Sequence, residues 1–579
     1  MLYNYNMESQ TKNCQNCKND FTIEPDDFLF YEKIKVPPPT FCPECRMKRR
    51  MIWRNVRNLY RTKCSIKGHS ENILSVYSND KPLKVSDKEY WWSDKFNPLD
   101  YGRDYDFSQP FFLQFFNLLK EVPLPNVGGI NMINSDYTNM TIDSKNCYLI
   151  FSANRNENCC YSDGINDCKN SIDLLSSRNS DLLYECIDCN NCFSVSLSLK
   201  ASSCIDSIFL YNCKNCSNCF GCWNLRNKQY YIFNEKFTKE EYLEKIESFK
   251  LNSFENLEKI KDIYKNKLLK SIRKFADITN SENVSGNSIE HSHNCHNSFD
   301  VYETNNSKYI WRFLKGGGSD NYDITTATNP ELCYECNGPG SASNTKFGVA
   351  TSNTSDSFFV YSCVSNSRNL FGCVSLNSKQ YCILNRQYTK EEYEELVPKI
   401  IKHMNDMPYI DSKGRVYKYG EFFPTELSPF AYNETVAQEY FPLIKEEAIQ
   451  QGYKWKDKEE RHYSIDIHTN DIPDNINDIN DDITTKIIEC AHKGTCNQQC
   501  TEAFKIIPEE LSFYRRMNLP IPRLCPNCRH YERLSQRNPM KLWHRTCMKE
   551  GCINEFETSY APERSEIVYC EKCYQEEVY

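Results

Sequence analysis

Between residues 141 and 388 the chain returns, at roughly twelve-residue intervals, to one short phrase: Asn, Asp or Ser, then Cys or Ser, then one to three apolar residues. Asn146-Cys147-Tyr148-Leu149, Asn158-Cys159-Cys160-Tyr161, Asp206-Ser207-Ile208-Phe209 and Asp356-Ser357-Phe358-Phe359 are examples. Bursts this short cannot build a helix of useful length. Repetition at one period predicts a β-solenoid, in which each coil buries its inner face only against neighbouring coils. Small Cys and Ser suit a narrow interior, and Asn tolerates the left-handed turn conformation. The alternative is an antiparallel β-sandwich, because strands spaced 8–12 residues apart with turn signals also predict one. The expected fold class is therefore mainly β with interspersed helices.

Each repetitive run closes on the same sequence. Phe220-Gly221-Cys222 through Thr238-Lys239-Glu240-Glu241-Tyr242 returns 151 positions later as Phe371-Gly372-Cys373 through Thr389-Lys390-Glu391-Glu392-Tyr393. Thr238 with Glu241, and Thr389 with Glu392, are capping boxes that open helices. The first helix is expected to run to about Phe275 with a break near Asn252. This organisation gives two β-repeat stacks, 141–236 and 283–388, separated by a helical segment 237–282 and followed by a helical or irregular segment 389–455. An aromatic-rich connector, 96–140, precedes them. The Asn/Asp/Ile-rich stretch 456–489 reads as a flexible acidic linker.

The two ends are copies of one another. A shift of 483 positions superimposes more than seventy residues without a gap. Cys17, Phe21, Pro25, Phe30, Tyr31, Cys42, Pro43, Cys45 and Arg46 fall on Cys500, Phe504, Pro508, Phe513, Tyr514, Cys525, Pro526, Cys528 and Arg529. Within the N-terminal module, 12–95, Cys14-x2-Cys17 and Cys42-x2-Cys45 supply four soft ligands for tetrahedral zinc. In the C-terminal module, 490–579, Cys500, Cys525 and Cys528 match, but Asn497 stands at the position of Cys14. Cys496, one residue earlier, is expected to complete that tetrad, with Cys490 and His492 as alternatives. A third tetrad follows in Cys547, Cys552, Cys570 and Cys573. Its N-terminal counterparts are Cys64, His69, Asp87 and Tyr90, so that copy is expected to have lost its metal. Three structural zinc ions are expected in all, each closed by four protein ligands.

Cys-x2-Cys-x3-Phe, Phe30-Tyr31, the Pro37–Pro39 turn and Cys-Pro-x-Cys-Arg resemble the treble-clef zinc-ribbon domain family. VPPPTFCPECRMKRR near the start and FETSYAPERSEIVYCEKCYQEEVY at the end make the whole chain resemble uncharacterised multi-zinc-ribbon proteins of candidate-phyla bacteria. The resemblance implies zinc binding and carries no activity.

Other cysteine clusters are weaker signals. Cys213, Cys216, Cys219 and Cys222 are spaced like part of an iron–sulfur ligand run, yet they also fit small buried residues of the repeat, which is the preferred reading. Cys186-x2-Cys189-x2-Cys192 and Cys333-x2-Cys336 are read the same way. His291, His293, Cys295 and His296 are expected to face solvent, and Gly316-Gly317-Gly318-Ser319 lacks the Lys-Ser/Thr of a phosphate loop.

The net charge is −8, but eight Lys/Arg and no acid lie between Arg46 and Lys63. Arg46, Arg50, Arg54, Arg57 and Arg61 form one stripe if the helix continues, repeated by Arg529, Arg533 and Arg537. Such a stripe suits phosphate contact, or its arginines pair with Glu24, Asp26, Asp27 and Glu32 of the same module or face water. The expected function is a non-catalytic zinc-binding protein that contacts nucleic acid or serves as a scaffold. A protein–protein scaffold with purely structural zinc is the alternative, and an enzyme in a groove of the repeat core is a third. The start, MLYNYNMESQTKN, lacks the pattern of a signal peptide, so a reducing cytoplasm is the expected compartment for 32 cysteines.

Overall fold

In a computed structural model, which describes residues 8–66, 68, 71–313, 318–458 and 463–579, the repetitive regions are built on a period shorter than twelve. From Asn131 to Phe233 every third residue has positive φ, including Asn146, Asn158, Asn170, Gly164 and Gly221. The residue that follows most of these turns inward. Cys147, Ile150, Cys159, Cys168, Leu174, Cys186, Val195 and Cys213 accordingly share one buried core. Twelve residues are four such triplets. The backbone is satisfied between successive twelve-residue rungs: Tyr148 N–H donates to Cys159 C=O and Tyr161 N–H donates to Tyr148 C=O, both at 3.0 Å.

Strands of neighbouring rungs pair in parallel, with Glu157 opposite Lys169, Asp181 opposite Phe193 and Ile205 opposite Ser217. The result is a mainly β protein with two large mixed sheets of 11 and 12 strands. Each sheet ends in one antiparallel strand, where Tyr231 meets Lys236 and Cys382 meets Gln387. Parallel registers of this kind are not those of the antiparallel sandwich considered as the alternative.

Left-handed backbone costs a non-glycine residue about 1–2 kcal/mol. Asn and Asp lower that cost and add side-chain ladders, as in Asn146 to Asn158 at 3.1 Å and Asn158 to Asn170 at 2.9 Å. Tyr161 and Phe209, which also take positive φ, are buried among neighbouring aromatic and aliphatic side chains, so hydrophobic burial offsets their strain.

Helices cover both sheets. Both capping boxes form, at Thr238 and Thr389, and the first helix breaks before Ser253, which caps Phe254–Leu269. Tyr264 of that helix packs on Phe209 of the first sheet. The helix Phe111–Glu121, which precedes the first sheet in sequence, instead places Phe111 and Phe112 on Phe359 of the second. Gly372 sits beneath it with φ of 66°, and a Cβ there would meet Phe111 at 2.8 Å.

The acidic stretch 456–489, expected to be flexible, is folded where it is described. It forms the short 3-10 turns Thr469–Asp471, Ile476–Asp478 and Asp481–Thr485. Ile472, Ile476, Ile479 and Ile483 are buried against Tyr161, Ile172 and Tyr184 of the first sheet and against the C-terminal module. Their spacing of four, three and four residues places them on one side, while the Asn and Asp residues between them face water.

Candidate metal centres and their docking seams

Three groups of four cysteines bring their sulfurs together: Cys14, Cys17, Cys42 and Cys45; Cys490, Cys500, Cys525 and Cys528; Cys547, Cys552, Cys570 and Cys573. Tetrahedral zinc with Zn–S of about 2.3 Å requires sulfurs about 3.8 Å apart. The observed separations fit, at 3.7 Å for Cys17–Cys42, 4.0 Å for Cys500–Cys525, 3.5 Å for Cys525–Cys528 and 4.0 Å for Cys552–Cys570. All 32 cysteines are free of disulfides. The arrangement is consistent with three structural zinc ions, and the modules are zinc-ribbon-like.

One local geometry recurs at all three sites. The second knuckle opens a helix, with Cys42, Cys525 and Cys570 as the N-caps of Pro43–Ile52, Pro526–Ser535 and Glu571–Val578. The helix dipole favours thiolate at such a position. The N–H of each N-cap cysteine donates to a sulfur of the first knuckle: Cys42 to Cys14 at 3.3 Å, Cys525 to Cys490 at 3.2 Å and Cys570 to Cys547 at 3.3 Å.

That recurrence corrects the expected ligand set. Cys490, not Cys496, is the counterpart of Cys14 in the tetrad. Each follows a strand paired to the next, Asn13 opposite Asp20 and Glu489 opposite Ala503. The ungapped alignment missed this because the C-terminal knuckle carries nine residues between its two cysteines, against two in the N-terminal one. The other eleven expected ligands fall within the three clusters.

The degenerate N-terminal copy of the third site keeps its hairpin. Tyr60 pairs with Ser75 and Lys63 with Asn72, in the register of Trp543 with Thr558 and Thr546 with Glu555. Cys64 is buried, and Asp87 accepts the N–H of Glu89 as a helix cap at 2.7 Å. His69 lies outside the described residues, as do Gly316 and Gly317. The hairpin is held by burial of Val76 and Tyr77 in the large aromatic core. The C-terminal site has only a small satellite cluster of its own around Cys547, Cys570 and Cys573.

The central cysteines have a different cause. Cys213, Cys216, Cys219 and Cys222 are spaced by three because the inward positions are spaced by three, and all four line the interior of the first sheet. Among the described residues no further group of central cysteines or histidines gathers as metal ligands.

The expected helical stripes stop at Ile52 and Ser535, short of Arg54, Arg57 and Arg537, and the arginines other than Arg61 are interior. Arg46, Arg50, Arg529 and Arg533 are 3% exposed or less, and Arg54 is 7% exposed. Arg46 donates to Asp323 at 2.9 Å, and Arg50 to Asp323 at 2.9 Å and Glu335 at 3.1 Å. Arg49, not part of the expected stripe, joins Glu335 at 2.6 Å and Glu421 at 2.8 Å. In the other module Arg533 donates to Asp173 at 2.7 Å, and Arg529 lies 3.1 Å from both Asp173 and Glu510. Arg57 faces Asp163 at 3.7 Å, and Arg537 joins Asp188 of the first sheet to Asp300 of the second at 3.2 and 2.6 Å. Most of these acids lie in the two repeat regions rather than among the modules' own Glu24, Asp26, Asp27 and Glu32.

The seams are crossed and equivalent. The N-terminal module docks on the second sheet and the C-terminal module on the first. Tyr31 meets Tyr334 edge-on with ring centroids 5.6 Å apart, and Tyr514 meets Tyr184 edge-on at 5.6 Å. The Tyr77 hydroxyl lies 2.9 Å from that of Tyr361, and Tyr560 lies 3.4 Å from Tyr211. Burial raises the carboxyl pKa of Glu335 against the pull of Arg49 and Arg50, and that of Glu510 against Arg529. Burial alone would lower Arg46 and Arg529, but Asp323 and Asp173 hold both guanidinium groups firmly charged.

No family model matches the chain, and no curated protein matches it. A solved structure of UDP-N-acetylglucosamine acyltransferase from Campylobacter jejuni covers 45% of this chain and 97% of its own, at 9% identity and a TM-score of 0.08. That likeness carries no argument about fold or chemistry.

Proposed function

We propose that this protein is a non-catalytic, zinc-stabilised scaffold that binds another protein. In this reading each large parallel sheet is one wall of a β-solenoid, and the zinc modules clamp the two solenoids together. The observation that carries it is the burial of the arginine stripes against Asp323, Glu335 and Asp173. Charges engaged in that way hold the molecule together and are withdrawn from phosphate. Two buried carboxyls with raised pKa, Glu335 and Glu510, are each engaged by those arginines, so their perturbation belongs to the clamp. A partner surface is offered by the first sheet, where Ile130, Ile142, Phe193 and Ile205 are 41–49% exposed. Ile130 lies opposite Ile142, and Phe193 opposite Ile205. Paired exposed apolar side chains are a feature of interaction surfaces. A cytoplasmic location fits this reading, because reduced thiols remain available to zinc.

Nucleic-acid contact is kept as a second reading on one observation. Arg61 and Lys63 are exposed and line a cleft of about 430 Å³ with Lys81 and Tyr77. Gel-shift titrations with DNA and RNA at two salt concentrations separate the readings. The scaffold reading expects no shift at 50 mM salt. A shift that weakens steeply by 200 mM and is lost in an Arg61→Glu/Lys63→Glu variant would replace it with phosphate contact.

A further inference from the structure

The long C-terminal knuckle carries two ligands that the four-cysteine site does not use. His492, Cys496 and Cys528 bring one imidazole nitrogen and two sulfurs within 4.8 Å of one another. The Cys496 sulfur lies 3.7 Å from that of Cys528, the separation of two ligands on one ion. Independently, Nδ1 of His492 is buried without a hydrogen-bond partner, an arrangement that costs free energy unless something binds there. At the equivalent place in the N-terminal module, the Cys45 sulfur accepts a hydrogen bond from the Asn16 amide at 3.2 Å. The C-terminal module has a fifth thiol and a histidine where its twin has an amide.

We propose that the C-terminal module holds a second soft divalent ion, bound by His492, Cys496 and Cys528, with the Cys528 thiolate bridging it to the ion of the four-cysteine site. The charge count favours the pair. Four thiolates around one divalent ion leave a net charge of −2, and a fifth thiolate beside them would be repelled. A second divalent ion with a neutral imidazole brings five thiolates and two ions to −1, and Cys496 releases its proton to solvent as the ion enters. Three protein ligands leave the second ion one position for water or an exchangeable ligand, unlike the closed sites. It therefore exchanges while the three structural ions stay. The inference rests on the structural-zinc reading, because the bridge needs the first ion.

Metal content of the full-length protein, saturated with zinc and then gel-filtered without chelator, tests it. Four ions per chain are expected in the wild type, and three in Cys496→Ser and in His492→Ala. Two ions each about 2.3 Å from a shared sulfur lie about 3.5–4 Å apart, so zinc-edge absorption should show a metal–metal distance in the wild type that both variants lose. Three ions in the saturated wild type, with Cys496 alkylated by iodoacetamide in the folded protein, would overturn the proposal and make Cys496 a thiol donor to Cys528. Fewer than three would overturn the structural-zinc reading itself, and this inference with it.

Discussion

Arg533 and Asp173 lie 360 positions apart in the chain, and the guanidinium of one meets the carboxylate of the other at 2.7 Å with both side chains buried. The same relationship joins Arg50 to Asp323 at 2.9 Å in the other half of the molecule. Each pair ties a zinc module to the sheet farther from it in sequence, so the two halves interlock.

Removing one member of such a pair leaves the other charge buried and uncompensated, which costs about 3–5 kcal/mol. Asp173→Asn strands Arg533 and leaves Arg529 with Glu510 alone, and should lower the unfolding free energy measured in urea by that much. Asp167→Asn breaks an exposed pair with Arg155, whose side chains are 46% and 39% accessible, and should cost less than about 1 kcal/mol. Equal losses in the two variants would refute the clamp.

Zinc should matter differently at the two ends of the C-terminal module. Cys528→Ser loosens the helix that carries Arg529 and Arg533, so it should destabilise the whole fold as well as release metal. Cys573→Ser disturbs a satellite cluster, and its effect should stay local, with faster hydrogen exchange confined to residues 543–579. Exchange spreading into the first sheet of Cys573→Ser would contradict this.

The interior cysteines of the sheets should tolerate serine. Cys219 lies against the Ser217 and Lys228 carbonyls at 3.5 and 3.6 Å. Thr141 fills the same kind of position, against the Asn139 and Ile150 carbonyls at 3.1 and 3.4 Å. Cys219→Ser should therefore cost less than about 1.5 kcal/mol and leave the metal content unchanged. Loss of an ion would make the cluster a ligand set.

Glu439 should make stability fall as pH rises. Burial pushes its carboxyl up to about 7, against the pull of Arg57, Arg312 and Arg54, and its side chain is 12% exposed. Between an unfolded pKa of about 4.3 and 7, the folded state holds a proton that the unfolded state has released. Stability from this group is complete below the lower value and is lost through the upper one. The full loss is on the order of 3 kcal/mol. Glu439→Gln should flatten the difference in urea stability between pH 5 and pH 7.5, and a variant that tracks the wild type over that range would refute the assignment.

Much of this was legible in the residues. Ligand pairs such as Cys42-x2-Cys45 announce themselves because a thiolate knuckle closes within a few residues. The capping boxes at Thr238 and Thr389 are equally local. The twelve-residue rhythm was visible, but its underlying triplet was hidden because the inward position accepts Cys, Ser, Leu, Ile, Val and Asn alike. The burial of Ile472 to Ile483 was obscured by the acidic residues between them, although the spacing of the isoleucines was there to be read.

The chain by itself determined the local chemistry: where Cys-x2-Cys knuckles close and where helices open. Those depend on neighbours within a few positions. Only the tertiary structure decided that Cys490 displaces Cys496 and that the arginine stripes face inward. A loop's length does not state which of its thiols closes the site, and an arginine's partner hundreds of residues away leaves no mark beside it. Sequence carries the charge, and folding alone decides whether water or a buried aspartate receives it.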